Sequence, residues 1–359
     1  MKLKWVLPVF ILVAFFWATS SSSLLALQEK EKPAEKKEEE KEPEAVDIDD
    51  ASKQAEKPAP TVGYTKEEYD EFQKAYTDPN LKARADGLLK FIKGHPNSKL
   101  NEHALGAFAP IMTQLYQQKE MTNLAAVAEN YLEMKPEDIA ALGLATEGFY
   151  SEKDYAKAAK YGEAFYKSKP SKEVAQLLAH SFDQLKNEGK FVVYAEKIVP
   201  EMSPKDSFFH AAKLSYYFAS QKNIPKAAFY CQRMMSAYGE GETPPGYGGP
   251  QWAAEKGRAY SIIGRNAYDK KQYVGAVGAY MNSLKYFRDN DEAYYYLGMS
   301  YWFARDTTSA MKSLAKSALL NKPYSKTARS QLENLYKGLH NGSIEGLDGV
   351  LRVASAEMK

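Results

Sequence analysis

Apolar residues recur three and four positions apart along almost the whole chain from Tyr64 onwards, and this spacing places side chains on one face of an α-helix. Short polar breaks interrupt the pattern, for example at residues 269–272 and 305–308, and divide it into pairs of helices. The pattern therefore predicts an all-α fold made of short helices joined by polar turns.

The helices recur with a fixed period. Pro136, Pro170 and Pro204 are 34 residues apart, and the same interval separates Gly264 from Gly298. A period of this length indicates one small supersecondary unit copied many times, and such arrays work by presenting an extended surface. We expect the Gly and Ala positions to let paired helices approach closely. Three further pairs keep the interval of 34: Tyr260 with Tyr294, Ala276 with Ala310, and Ser283 with Ser317.

This unit resembles the tetratricopeptide repeat, a 34-residue helix-turn-helix with an apolar-Gly step, a Tyr, a small Ala and a closing Pro. The resemblance is good over residues 257–323 and 138–170, and fair over 104–136. It is weaker over 172–205, where Val193 stands in place of the small residue. Within 138–170 four positions are in register: Tyr155, Ala158, Phe165 and Pro170.

The resemblance implies an α-solenoid of about seven repeats with a helical carboxyl-terminal cap. An opening repeat near residues 65–98 is followed by six inserted residues after Pro96. The five glycines and three prolines of residues 239–250 are expected to exclude helix there. We divide the folded part into about five repeats (64–238), a Gly/Pro-rich loop (239–252), two clear repeats (253–323) and capping helices (324–359, with helix over 325–339 and from 343 to 358).

Residues 1–28 predict either a secretory signal or an uncleaved transmembrane anchor. Lys2 and Lys4 precede an apolar run, and residues 5–27 carry no charge, which is long enough to span the ~30 Å hydrocarbon core. A cleaved signal has a candidate cleavage site at Ala18-Thr19-Ser20. Either way the remainder is exported. The protein is then anchored and faces the periplasm or exterior, or it is periplasmic or secreted if the signal is cleaved.

Residues 29–63 predict a disordered, charged linker of Glu, Lys, Pro and Ala. Residues 29–60 hold twelve acidic side chains against seven lysines and no aromatic residue, so they cannot bury enough apolar area to fold. We expect a solvated spacer that holds the folded part away from a membrane. The whole chain carries a net charge of only +2, and no nucleic-acid partner is expected.

The polar residues do not form a recognisable catalytic or metal-binding motif. The five histidines have no partner four residues away, so neither a metal site nor a cofactor is expected. Cys231 is the only cysteine, which excludes an intrachain disulfide, and its apolar neighbours predict a small core residue. The Gly-rich loop lacks the Gly-Lys-Ser/Thr ending of a phosphate-binding loop.

A stripe of aromatic residues is the best functional signal. The resemblance implies that the first helix of each repeat lines a concave groove that holds a peptide or protein partner. Aromatic and Arg side chains suit such a surface because they bury a large area at low entropic cost. The alternative is that these rings pack between adjacent repeats. In the register set by the small Ala, the twelfth position reads Tyr116, Tyr150, Tyr268 and Trp302, and the ninth and neighbouring positions include Arg265, Tyr295 and Met299.

The sequence thus favours a non-enzymatic scaffold that is exported, tethered to a membrane and binds a peptide or protein partner in the groove. The opening repeat carries a Phe-x-x-x-x-Pro-x-Ser element (Phe91 to Ser98) that is similar to envelope-assembly repeat proteins of bacteria, which implies a place in envelope assembly. The alternative is an exported enzyme or carrier whose site is formed by the Gly/Pro loop and the aromatic groove.

Overall fold

The computed structural model describes residues 63–358, and within that range all regular secondary structure is helical. One short 3₁₀ turn, Val199–Glu201, follows α9. The helices are α1 Lys66–Tyr76, α2 Leu81–Gly94, α3 Asn101–Gly106, α4 Phe108–Gln117, α5 Met121–Met134, α6 Ile139–Ser151, α7 Tyr155–Ser168, α8 Lys172–Gln184, α9 Glu188–Ile198, α10 Pro204–Ser220, α11 Ile224–Met235, α12 Gly249–Asp269, α13 Tyr273–Tyr286, α14 Asp291–Phe303, α15 Thr307–Leu319, α16 Ser325–Leu339 and α17 Leu347–Glu357.

The all-α prediction is confirmed over this range. The segments predicted as an anchor or signal (1–28) and as a linker (29–63) lie outside the described residues, apart from Gly63 at the end of the linker. Within residues 63–358, no helix is both long and apolar enough to cross a bilayer.

The helices form two compact units, which we call the amino-terminal unit (residues 63–186, α1–α8) and the carboxyl-terminal unit (residues 187–358, α9–α17). In each unit the core lies between helices that follow one another in the chain. Fully buried side chains in the amino-terminal unit include Leu88, Phe108 and Leu124. Those in the carboxyl-terminal unit include Phe208, Met234, Leu314 and Leu332.

A basic residue in the left-handed conformation marks six of the turns between helices. At the turn from α6 to α7, for example, the Lys153 N–H donates to the Tyr150 carbonyl (3.0 Å) and the Asp154 N–H to the Phe149 carbonyl (2.9 Å). These bonds satisfy the last carbonyls of the first helix, as in a Schellman ending. The turn therefore fixes the register of each repeat. The six residues are Lys119, Lys153, Lys186, Lys222, Lys271 and Arg305, at separations of 34, 33, 36, 49 and 34.

This register corrects two interpretations of the sequence. Pro136 and Pro170 precede the N-caps Asp138 and Ser171, whereas Pro204 follows its N-cap and occupies the first turn of α10. Equal spacing along the chain therefore does not mean equal position within the repeat, because the turn residues around these prolines are 34, 33 and 36 residues apart. Position five after the left-handed residue in α9 is Phe191, which is buried, and not Val193, which is 51% exposed.

Three further element boundaries differ from the prediction. The Gly/Pro-rich loop ends before Gly249, where α12 begins. Pro250 is tolerated in the first turn of α12, because backbone N–H groups of a first turn have no hydrogen-bond partner within the helix. The last helix begins at Leu347 instead of near residue 343, after Gly346 at φ 92°. The insertion after Pro96 contains the short helix α3, which is separated from α4 by Ala107.

The glycine at the end of each apolar-Gly step lets two helices touch. A Cβ added to Gly298 on α14 would lie 3.0 Å from the Leu314 backbone N and 3.1 Å from the Ala310 carbonyl of α15. A Cβ on Gly264 would lie 3.0 Å from the ring of Tyr280. These contacts confirm that the small residues permit close approach of paired helices.

Gly298→Ala is expected to destabilise the carboxyl-terminal unit by about 1–3 kcal/mol, since backbone atoms cannot move aside as a side-chain end can. Gly278→Ala is the matched control, because nothing lies within 4 Å of its added Cβ and alanine is the better helix former. Urea unfolding of the two variants checks this, and equal stability would contradict the packing role of Gly298.

Candidate partner-binding site

Near the end of the first helix, two side-chain positions can be compared between the six repeats whose turns hold a left-handed residue. We call the residues three and six before the left-handed residue the paired slots; they are one helical turn apart and share a face. The three-before slot holds Tyr116, Tyr150, Asp183, Ala219, Tyr268 and Trp302, and the six-before slot holds Thr113, Glu147, His180, Tyr216, Arg265 and Met299.

In the amino-terminal unit the slot residue Tyr150 belongs to a cluster of three rings. Its ring lies 5.9 Å from that of Tyr155 across the turn and 5.6 Å from the imidazole of His180 on α8. Tyr155 and His180 are also 5.6 Å apart, and all three contacts are edge-on. Burial and the nearby Tyr155 raise the pKa of Tyr150 to about 12, so the ring stays neutral.

A buried carboxyl group lies beside this cluster. Glu147 on α6 is 9% exposed, and the Tyr116 hydroxyl of α4 donates a hydrogen bond to it. Burial raises the pKa of Glu147 from 4.5 to about 7, because a carboxylate loses its hydration there, and the bond from Tyr116 opposes the rise. The paired slots of the amino-terminal unit thus bring an acid and two tyrosines onto neighbouring repeats.

In the carboxyl-terminal unit the slot residue Tyr268 lies in a larger aromatic patch. Its ring is 5.8 Å from Tyr273, 5.1 Å from Tyr296 and 6.2 Å from Phe303. Tyr273 stacks on Phe303 at 4.7 Å. Phe303 and its neighbour Trp302 remain 44% and 38% exposed, so the patch reaches the surface.

Arg265 sets the charge of this patch. Its guanidinium lies 4.4 Å from the centre of the Tyr296 ring, and its Nη1 donates to the Tyr296 hydroxyl at 2.5 Å. The Nε is 3.0 Å from Asp269, and Nη1 is 3.9 Å from Glu292. A cation over an aromatic face adds attraction and holds the side chain in one position. We call Arg265, Tyr268, Tyr296, Trp302 and Phe303 the aromatic patch.

The remaining predicted site residues lie at its edge. Tyr295 contacts Tyr296 (5.0 Å) and Tyr324 (5.4 Å), and both Tyr295 and Met299 pack against the core around Leu314. The structure therefore brings Arg265, Tyr268, Tyr295, Met299 and Trp302 into one unit. Tyr116 and Tyr150 belong to the other unit.

The sequence reasoning missed four contributors, namely Glu147, Tyr273, Tyr296 and Phe303. A signal existed for Tyr273, because a Tyr pair spans the turn both at 150/155 and at 268/273. Glu147 gave no signal, since a single acid in an apolar helix has no distinctive spacing.

The sequence predicts that Cys231 is a core residue, and the structure confirms this. Cys231 has no exposed surface, and burial raises the pKa of its thiol. Tyr247, in the Gly/Pro-rich segment, contacts the rings of Phe208 (5.7 Å) and Trp252 (6.0 Å). Among residues 63–358, no three His, Cys, Asp or Glu side chains are grouped as a metal site.

One further observation bears on which known repeat the unit resembles. The position five after the left-handed residue is an alanine with no exposed surface in four of the six turns. In two of these pairs, a Cβ added to the Gly of the first helix (Gly264 or Gly298) would meet the second helix. The repeated unit resembles a tetratricopeptide repeat. The four alanines are Ala158, Ala227, Ala276 and Ala310.

Solved structures of tetratricopeptide-repeat proteins are similar to the chain at low identity. The TPR2AB domain of yeast Sti1, in its pHSP90 complex, is 14% identical, with 80% of this chain and 97% of that chain covered and a TM-score of 0.30. A TPR repeats protein from Bacteroides fragilis is 12% identical, with 64% and 97% covered and a TM-score of 0.32. YrrB, a TPR protein with an unusual peptide-binding site, is 13% identical, with 69% and 98% covered and a TM-score of 0.23.

No protein-family model and no curated protein matches the chain. The resemblance to tetratricopeptide repeats therefore rests on the register of the chain's own turns and small residues.

Proposed function

We propose that the protein is a non-enzymatic scaffold that binds a peptide or protein segment through the aromatic patch of its carboxyl-terminal unit. The observation that carries the proposal is the exposure of Trp302 and Phe303 next to the half-buried Tyr268 and Arg265. Large rings beside a held guanidinium are the residue types that dominate binding energy at protein interfaces.

The geometry favours a partner with an extended or helical segment. Tyr296 and Tyr268 contact each other, and Arg265 covers the face of Tyr296, so the rings are fixed before a partner arrives. Side chains that are already ordered lose little entropy on binding. Trp302 and Phe303 are the rings of the patch that offer free surface, and Trp302 is the larger of the two anchors.

Photo-crosslinking tests the proposal. A benzophenone amino acid at position 302 is expected to capture a partner segment, whereas the same probe at Val274, which is 80% exposed, serves as the control. The captured segment is identified by mass spectrometry and made as a synthetic peptide. Trp302→Ala is expected to weaken the binding of that peptide at least ~10-fold, the size of effect seen at interface anchors, and Val274→Ala to leave it unchanged.

Two results would contradict the proposal. Equal binding by wild type and Trp302→Ala would remove the patch as the site. Loss of helical content in the Tyr268→Ala variant, measured by circular dichroism, would instead support a packing role for that ring.

We further propose that the scaffold is exported and tethered to a membrane through residues 1–28, with a role in bacterial envelope assembly. The uncharged run of residues 5–27 and the acidic spacer after it support this placement. Amino-terminal sequencing of protein recovered from membranes separates the two forms, because a mature chain that starts after residue 20 would exclude the anchor.

A further inference from the structure

Among residues 63–358, no cationic group pairs with the carboxyl group of Glu147. The residue is 9% exposed, and the influences on its ionisation are its burial and one hydrogen bond from Tyr116. Buried charges are normally paired, because the lost hydration is costly. Glu129, a neighbouring acid on α5, follows that rule, since Lys157 lies 2.7 Å away and the Tyr161 hydroxyl donates to it at 3.0 Å.

The two basic side chains in the first two turns of the adjacent helix α7 contact other groups. Lys157 of α7 is bound to Glu129, and Lys160 lies 4.7 Å over the ring of Tyr161. Within the described residues, no ion pair involves Glu147. A carboxyl group is thus kept in the paired slot of α6 without the positive charge that would stabilise its ionised form.

Two tyrosines lie near this slot. Tyr116 of α4 bonds to the carboxyl group directly, and Tyr150 is one helical turn along the same face. Tyr150 is held in turn by Tyr155 of α7 and His180 of α8. A carboxylate near aromatic rings attracts a cation through its own charge, and a ring face adds attraction where the cation can reach it.

We propose that Glu147, together with Tyr116 and Tyr150, forms a binding site for a positively charged group of a partner, the ammonium of a Lys or the guanidinium of an Arg. This inference rests on the proposed function as a peptide-binding scaffold, but it concerns a different unit of the chain. The partner supplies the missing charge, and the two tyrosines contact its alkyl stem or planar head. Repeats of the amino-terminal unit then select partners with a basic residue.

The site also couples binding to pH. The titratable group that contacts the carboxyl group is Tyr116, and Tyr150 shares its helix face, with Tyr155 and His180 beyond that ring. A cation in the site favours the ionised form of Glu147. Binding of the cation therefore releases a proton from Glu147, so it tightens as the pH rises towards 8.

Direct titration of the carboxyl group tests the proposal in the full chain. Glutamate labelled with ¹³C at the carboxyl carbon reports the ionisation of Glu147, with Glu147→Gln identifying its signal. The probes are N-acetyl-lysine methylamide and the uncharged N-acetyl-norleucine methylamide. The lysine probe is expected to move the titration of Glu147 to lower pH, and the norleucine probe to leave it in place. Identical curves with both probes would overturn the proposal.

Peptide selection supplies an independent readout. Immobilised octapeptides with a fixed Lys are expected to retain the wild-type protein at least ~10-fold better than peptides with norleucine there, as expected for one desolvated cation contact. Glu147→Gln is expected to abolish this preference, and Glu137→Gln, at an exposed position, to keep it. A preference that survives in Glu147→Gln would refute the site.

The two proposals fail separately. If Trp302→Ala leaves peptide capture intact, the proposed function of the aromatic patch is contradicted, but the Glu147 site is not. If the wild type shows no preference for lysine while capture still depends on Trp302, the Glu147 site is contradicted, but the aromatic patch is not.

Discussion

Phe208→Ala is expected to lower the free energy of unfolding of the carboxyl-terminal unit by about 4 kcal/mol, the usual cost of truncating a fully buried phenylalanine. Phe208 on α10 has no exposed surface, and its ring contacts Tyr238 (5.1 Å), Tyr247 (5.7 Å) and Trp252 (5.7 Å). The ring thus joins α10 to the Gly/Pro-rich segment and to α12. Its loss leaves a cavity that three aromatic neighbours cannot fill without moving.

Phe229→Ala is the matched control for this change. Phe229 lies on α11 of the same unit but is 47% exposed, so its removal is expected to cost less than about 1 kcal/mol. Urea unfolding followed by hydrogen exchange measures both the size and the location of the effect. Amides of α10 and α12 are expected to lose protection in Phe208→Ala only. A similar loss in both variants would show that burial at Phe208 does not hold the segment in place.

Glu147→Gln is expected to raise the stability of the amino-terminal unit at pH 8 by about 3 kcal/mol and to change it little near pH 4. The pKa of Glu147 is raised from 4.5 to about 7 in the folded protein. Between these values the unfolded chain has released the proton while the folded chain retains it, so unfolding becomes easier as the pH rises. Glutamine keeps the shape and can accept the bond from Tyr116, but it does not titrate.

Denaturation at a series of pH values from 4 to 8.5 checks this, with Glu137→Gln as the exposed control. The wild type is expected to lose stability relative to Glu147→Gln between about pH 4.5 and pH 7, and the Glu137→Gln difference to stay flat. Parallel pH profiles for wild type and Glu147→Gln would mean that the carboxyl group is not buried in solution.

The fold was predictable because the residues that recur with its period are small residues that few other amino acids can replace. Gly264 and Gly298 are required where a Cβ would meet the second helix, and Ala276 and Ala310 have no exposed surface. Prolines were a poorer guide. Pro204 keeps the interval of 34 but starts a helix, because a proline suits the first turn as well as the connection before it.

The site was predictable only in part. Tyr150 and Tyr268 could be placed in matching slots because the slot is counted along one helix. Their neighbours His180, Tyr296 and Phe303 come from the following repeat, and the sequence does not state which side chain of a helix touches the repeat before it. The Glu147 slot could not be found, because the cost of burying its carboxyl group depends on packing by other helices.

The left-handed basic residues of the six turns have a consequence for how this array can be altered. A lysine or arginine in that conformation costs roughly 1 kcal/mol relative to glycine, and asparagine also tolerates it better. The cost recurs at each of these six turns and falls outside the paired slots. The thermal resistance of the array is therefore adjustable in small separate steps, without any change to the side chains assigned to partner binding.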